Sequence, residues 1–270
     1  MLHRWNRVLI IGGNRFVGKL VPKLLQDYGY DVTLLNRSGT TPYDKCGVIK
    51  MDRNDIDKDT FEEPDVVIDM CAYNVGQVKQ LLDCVNTKRH YGNTLKQYIF
   101  MSSIASEHGF FGEYGKNKAE IEKFLRFETD IPNTILRPTY IIGKGDHHKR
   151  IDYFLDCIKN KRDIHLSGFG DKKLSLVFKE DVVKIIYKIV CEGIVNKTYN
   201  ICNDEDVTME ELIELFFKIT QDKTTTKILE PDVIFKDKEC IFSNELVKQD
   251  LGIEFKSLED GIREYIISKS

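Results

Sequence analysis

The sequence predicts a doubly wound parallel α/β sheet with a smaller C-terminal lobe, and three observations predict it. Short β-branched runs alternate with helical patterns through the first half, the signature of βαβ units. Two of those runs, Val66-Val67-Ile68-Asp69-Met70 and Gln97-Tyr98-Ile99-Phe100-Met101, are nearly continuously apolar, as strands covered on both faces require. The first run, Arg7-Val8-Leu9-Ile10-Ile11, meets a glycine-rich turn that opens onto a helical pattern at Gly18.

Taken in order, strands are expected at 7–12, 31–36, 47–51, 65–70, 96–101 and 133–137, with helices over 16–28, 74–89 and 114–127. Beyond Pro138 the alternation loosens. Residues 150–160 and 180–193 read as helices and 197–202 as one more strand. Thr208 and Glu211 have capping-box spacing before the helical run Leu212 to Ile219. No repeat or low-complexity linker separates two halves, so the lobes are expected to interleave. A core of 1–145, to which 180–203 returns, is expected beside a substrate lobe of 146–179 and 204–270.

Composition narrows the partners. The chain has 270 residues, 41% hydrophobic and 31% charged, with a net charge of −3. That balance gives no electrostatic reason to expect nucleic acid or an anionic membrane, and a small-molecule substrate is the expected partner. Seven cysteines, at 46, 71, 84, 157, 191, 202 and 240, form no C-x-x-C pair and read as reduced core residues. The apolar run Val8 to Ile11 is too short for a signal core, and no stretch approaches the ~20 residues of a membrane span. A cytoplasmic location is expected.

The strand–turn–helix order places backbone N–H groups and a helix N-terminus where a pyrophosphate can sit, making Gly12, Gly13, Asn14, Arg15, Phe16, Val17 and Gly18 candidate contacts. The second strand ends at Asn36-Arg37-Ser38. An NAD-preferring site usually carries Asp or Glu here; a guanidinium suits the 2′-phosphate of NADP(H), with NAD(H) second. Tyr114 and Lys118 lie four apart on one helical face just after the strand ending in Ser102-Ser103. A nearby cation lowers a phenol's pKa, so Tyr114 is the candidate acid/base, Lys118 its partner, and Ser103 the hydroxyl that holds the reacting oxygen. Tyr140–Lys144 and Tyr265–Lys269 share the spacing without the context. Arg53, Cys71, Tyr140 and Arg150 complete the candidates, the first two for cofactor and the last two for substrate. His147-His148 lacks the spacing of a helical zinc pair, and no metal is expected.

These segments carry a family resemblance. Ile11–Gly18, Ser102-Ser103, Tyr114…Lys118, Ile135–Gly143, Tyr199-Asn200-Ile201 and the tail Asp250–Ile262 resemble the extended short-chain dehydrogenase/reductases of the NAD-dependent epimerase/dehydratase type, over nearly the whole chain. The resemblance implies a seven-stranded Rossmann sheet binding NAD(P) and a C-terminal lobe gripping a substrate that is often a nucleotide-sugar. It implies that Gly12, Gly13 and Gly18 approach the pyrophosphate, Asp52 binds adenine, and Ala72 lies beside the nicotinamide ribose. Ser103, Tyr114 and Lys118 map onto the catalytic triad. Three departures stand out. Arg15 replaces the central glycine, as in an atypical branch that includes chloroplast stem-loop RNA-binding proteins; it either adds a second cation near the 2′-phosphate or narrows the cofactor turn. Only ten residues separate Ser103 from Tyr114, and the chain is shorter than most nucleotide-sugar members.

The expected activity is NADP(H)-dependent oxidoreduction at a secondary alcohol or ketone, of a sugar or nucleotide-sugar. The rivals are an NAD-dependent nucleotide-sugar epimerase and a non-catalytic NAD(P)- or RNA-binding relative. Ile104-Ala105 after Ser103, where a dehydratase usually carries an acid, speak against dehydration. A homodimer through helix 114–127 stays open, because Ile121, Phe124 and Leu125 serve a core equally well.

Overall fold

Seven strands form one sheet in the order β10-β6-β5-β4-β1-β2-β3. They are β1 (Arg7–Ile11), β2 (Asp31–Asn36), β3 (Gly47–Lys50), β4 (Val66–Asp69), β5 (Gln97–Met101), β6 (Asn133–Pro138) and β10 (Lys197–Ile201). The computed structural model describes residues 6–87, 95–107, 112–167, 170–229 and 241–269. Cys240 and the end of the helix expected over 74–89 lie outside them.

The registers β1/β2, β1/β4, β2/β3, β4/β5 and β5/β6 are all parallel. Parallel strands need crossovers, and helices α1 (Val17–Asp27), α2 (Val75–Thr87) and α3 (Glu113–Phe127) supply them. Chain order reverses between β1 and β4, so the carboxyl ends of these two strands border the crevice where such sheets take ligands. Strands β4 and β5 are buried at every residue, which accounts for their uninterrupted apolar reading. Leu9, Ile11, Val67, Tyr98, Phe100 and Ile135 of the sheet form a core with Val78, Leu81 and Ile121 of its helices.

The chain divides into two compact units, residues 1–138 with 182–200, and residues 139–181 with 201–270. The sheet, α1–α3, the short 3₁₀ turn at Ile104–Ser106 and most of α5 (Lys179–Glu192) make up the first. The second holds β7 (Tyr140–Ile142), α4 (Arg150–Lys159), β8 (Ile164–Ser167), β9 (Lys173–Phe178), β11 (Asp206–Thr208), α6 (Met209–Thr220), β12 (Thr226–Leu229), α7 (Glu245–Leu251) and α8 (Leu258–Ile267). Its strands form a three-stranded sheet β11-β9-β7 and a parallel pair β12/β8. The capping box is present on α6: Thr208 Oγ1 accepts from Glu211 N at 3.1 Å, and Glu211 Oε2 accepts from Thr208 N at 2.8 Å. No helix among the described residues is long and apolar enough to cross a membrane.

The core of the second unit packs Phe154, Phe178, Phe216, Leu258 and Ile262 together. Gly261 on α8 allows this: a Cβ there would stand 2.1 Å from Phe178 Cζ. Gly261→Ala is therefore expected to cost about 1–3 kcal/mol, the usual range for overpacking a filled core. Urea denaturation of the variant against the parent chain measures it; an unchanged midpoint would show that Phe178 yields freely.

Candidate active site

The glycine turn is tight because each glycine is crowded by protein. Gly12 has φ +87°, and a Cβ there would lie 3.2 Å from Cys71 Cβ, so the loops after β1 and β4 touch. A Cβ on Gly13 would meet Leu34 at 2.6 Å, and one on Gly18 would meet the Gly12 carbonyl at 2.5 Å. Gly18 thus lets α1 start directly against the turn. Phe16 caps α1 at φ 47°, a strained value for a side-chain residue, and contributes no side-chain cap; the first turn has no acidic residue. Arg15 is exposed. The N–H groups of this helix end fit an anionic phosphate, and its own first turn carries no acid to oppose one.

Hydrogen bonds join this turn to the loop after β2. Asn14 Nδ2 donates to Ser38 Oγ (3.0 Å), Ser38 Oγ donates to Asn36 Oδ1 (2.8 Å), and Asn36 Oδ1 also accepts from Gly39 N (2.8 Å). Between them Arg37 is exposed, and among the described residues it forms no ion pair. Asn14, Asn36 and Ser38 are therefore tied to one another, and Arg37 is the side chain the loop presents.

Residues 52 and 53, both expected on the cofactor, part ways. Asp52 Oδ1 accepts from Asn54 N (3.0 Å) and Asn54 Nδ2 (2.8 Å) in a local turn. Arg53 turns inward and grips Asp69 with both ends of its fork, Nη1 to Oδ1 at 2.8 Å and Nη2 to Oδ2 at 3.0 Å. Its contact is this buried carboxylate, with Nη2 donating also to the Gln77 carbonyl (3.2 Å). Asp69 is fully buried; it also accepts from Tyr98 Oη (2.8 Å) and from the amides of Cys71 and Ala72 (3.0 Å each). Burial pushes the Cys71 thiol up, and Asp69 adds to the shift.

Ser103, Tyr114 and Lys118 come together beside that loop. Lys118 is 3% exposed and donates to the carbonyls of Met101 (2.8 Å) and Ala72 (3.0 Å). Its ammonium lies 4.7 Å from the Phe100 ring centre, 5.7 Å from Tyr73 and 5.8 Å from Tyr114. Burial lowers its pKa from 10.5 to about 8, against the opposing pull of Asp69. Tyr114 is 39% exposed, with Tyr73 edge-on at 6.4 Å. Its pKa is raised: burial dominates, the hydrogen bond with Ser103 lowers it, and Tyr73 adds to the rise. The depression expected from Lys118 is not seen; burial sets the direction. Ser103 is half-buried, opening the 3₁₀ turn, with its Oγ accepting from Ala105 N at 3.2 Å.

Ser102, one residue earlier, is unavailable. Its Oγ donates to Glu122 Oε1 (2.5 Å), which also accepts from Ser106 Oγ (2.6 Å). Arg137 Nε reaches both Glu122 oxygens at 3.0 Å, and Arg126 Nη2 donates to Oε2 at 2.8 Å. Burial alone would raise the Glu122 pKa; Arg137 and the two serines reverse that and hold it low. Glu122 thereby links α3, the end of β5, the 3₁₀ turn and β6. Neither Asp69 nor Glu122 was a candidate on sequence. The available signals were an acid inside an otherwise apolar strand, and a carboxylate one helical turn past Lys118 on the same face.

Tyr140 and Arg150 meet in the second unit, with the guanidinium 5.4 Å from the Tyr140 ring centre. Arg150 Nη1 pairs with both oxygens of buried Asp146 (3.0 and 3.2 Å), which leaves it much less free for an anionic substrate than the sequence suggested. The rings of His147 and His148 stand 3.9 Å apart, and no cluster of three or more His, Cys, Asp or Glu suited to a metal occurs among the described residues.

Comparison with known proteins agrees with this architecture. Residues 85–202 match the model of the NAD dependent epimerase/dehydratase family. The chain is 24% identical over 237 residues to the chloroplast stem-loop binding protein of 41 kDa b of Arabidopsis thaliana, covering 76% of this chain and 61% of that one. It is 23% identical over 239 residues to the CDP-abequose synthase of Yersinia pseudotuberculosis, covering 77% of this chain and 82% of that one. The UDP-glucuronic acid 4-epimerase of Bacillus cereus, solved with UDP-glucuronic acid and NAD, superposes with a TM-score of 0.79 at 17% identity, over 97% of this chain and 99% of that one. The chain thus spans about three-fifths of the chloroplast relative but nearly the whole of the epimerase fold. The model of the NAD dependent epimerase/dehydratase family thus matches the stretch from the end of α2 to the end of β10, and the fold around it is the one seen in the solved epimerase.

Proposed function

We propose that the chain is an NAD(P)(H)-dependent oxidoreductase acting at a secondary alcohol or ketone of a nucleotide-sugar or related sugar, with NADP(H) preferred. One observation carries the reading: Ser103, Tyr114 and Lys118 converge at the carboxyl end of β5, next to the β4 loop that touches the glycine turn. The uncapped start of α1 fits a pyrophosphate, and exposed Arg37 fits a 2′-phosphate. Once bound, the dinucleotide supplies hydride exchange at the reacting carbon. The protein's residues manage the rest. Tyr114, kept protonated at neutral pH by its raised pKa, donates its proton to the carbonyl oxygen during reduction. Ser103 holds that oxygen. Lys118 has three N–H donors and spends two on carbonyls, leaving one for the nicotinamide ribose.

A second reading, sugar epimerisation with retained cofactor, is favoured by the likeness to the Bacillus cereus epimerase and by the nucleotide-sugar named in the synthase relative. The two part on stoichiometry. Net consumption of reduced cofactor with each turnover supports reduction; sugar interconversion without it supports epimerisation.

Three outcomes are expected. In fluorescence titrations NADPH binds tighter than NADH, and Arg37→Ala removes roughly tenfold of that preference, the worth of one charge-assisted hydrogen bond; tighter NADH binding would overturn the 2′-phosphate assignment. Tyr114→Phe lowers kcat by about 10²–10⁴-fold with cofactor affinity unchanged; unchanged turnover would remove Tyr114 from the chemistry. Lys118 carries its charge below about 8 and loses it above. Cofactor affinity should therefore fall as pH rises through about 8, and Lys118→Met should flatten that dependence in the same titration.

A further inference from the structure

Deep in the first unit, the crevice floor holds a buried ion pair that the proposed reaction does not itself use. Arg53 and Asp69 meet through two hydrogen bonds at 2.8 and 3.0 Å, yet Arg53 Nε is buried without a hydrogen-bond partner among the described residues. Burying both charges is costly, and two apolar side chains often serve stability as well. The location is the informative part. Asp69 is the last residue of β4, and its Oδ1 accepts from the amides of Cys71 and Ala72 as well as from Arg53. Its Oδ2 accepts from Tyr98 on β5 and from the other arm of Arg53. Each carboxylate oxygen is thus fixed from two or more directions, and the loop that follows β4 is folded down onto it. The Ala72 carbonyl then receives the Lys118 ammonium at 3.0 Å.

We propose that Asp69, clamped by Arg53 and Tyr98, is a positioning residue for Lys118, acting through the Cys71-Ala72 backbone. The chain of contacts runs from the turn that follows β3, through the end of β4, to α3, so three segments are set by one carboxylate. This assignment rests on Lys118 having the role proposed above. Electrostatics support it: of the groups around Lys118, Asp69, Cys71 and Glu122 favour its charged form and Arg53 opposes it, while burial opposes it most. Phe100, Tyr73 and Tyr114 present their rings to the ammonium and complete its surroundings.

The test reads Lys118 directly, without substrate or cofactor. The titration midpoint of Lys118 is followed by NMR of the ¹³C-lysine-labelled chain, with Lys118→Met assigning the resonance. Asp69→Asn keeps an oxygen for the two amides and removes the charge; Arg53→Met/Asp69→Asn removes both charges, so no unpaired guanidinium is left to prevent folding. In both the midpoint is expected to fall below its parent value, by about one unit in Asp69→Asn, the effect of losing one nearby opposite charge, and by less in the double variant, which also loses the opposing charge of Arg53. The weaker opposition from Arg53 does not cancel that fall in the double variant. A merely structural pair would lower the melting temperature and leave the midpoint in place, which overturns the proposal. Failure of the double variant to fold would overturn it too, by showing that the pair serves the fold. Because the readout involves no turnover, an inactive parent chain would count against the proposed function and leave this result standing.

Discussion

A carboxylate taken out of water needs a full set of partners, and Asp69 has one. Its two oxygens take an arginine fork, a tyrosine hydroxyl and two backbone amides. The sheet brings these together because β4 sits between β1 and β5, at the place where chain order reverses. The same reversal puts the carboxyl ends of β1 and β4 at the edge of the sheet where folds of this kind take ligands. The constraint that shapes the crevice is therefore the satisfaction of one buried charge. The Lys118 ammonium, the Ala72 carbonyl and the contact of Cys71 with Gly12 all follow from where that charge holds the chain.

Glu122 does for the other wall what Asp69 does for the floor. It receives Ser102, Ser106, Arg126 and Arg137, and so fixes α3 against the ends of β5 and β6. Ser103, between two residues bound to that network or packed beneath it, keeps its hydroxyl at the 3₁₀ turn near Tyr114. Two acids that do no chemistry thus set the positions of three residues proposed to do it. For Glu122 the division of labour follows its partners: Arg137 and the two serines outweigh burial and hold its pKa low, so it keeps no proton to trade.

The sheet was legible in the sequence because its strands are short apolar runs in regular alternation with amphipathic helices. Expected bounds such as 31–36 and 114–127 lie within a residue of β2 and α3. In the second unit the strands β7, β8, β9, β11 and β12 went unread. Three- and four-residue strands such as Tyr140–Ile142 carry too little periodicity, and Lys173–Phe178 resembles any buried apolar run. At the site, glycines, hydroxyls and the Tyr–Lys spacing were visible because they are local. The partner of Arg53 was hidden for the opposite reason: Asp69 lies sixteen residues away at the end of β4, and no local pattern joins the two. The raised pKa of Tyr114 was equally hidden, since it depends on how deeply the fold buries the phenol.

The Asn14–Ser38–Asn36 chain of hydrogen bonds has a consequence for how this protein can change. It fastens the turn proposed to meet the phosphates to the loop that carries Arg37, so the two move and mutate as one piece. Redesign of cofactor choice at residue 37 alone works against a framework built around its neighbours. A graft that carries 12–18 together with 36–40 preserves the internal bonds and exchanges one recognition unit for another.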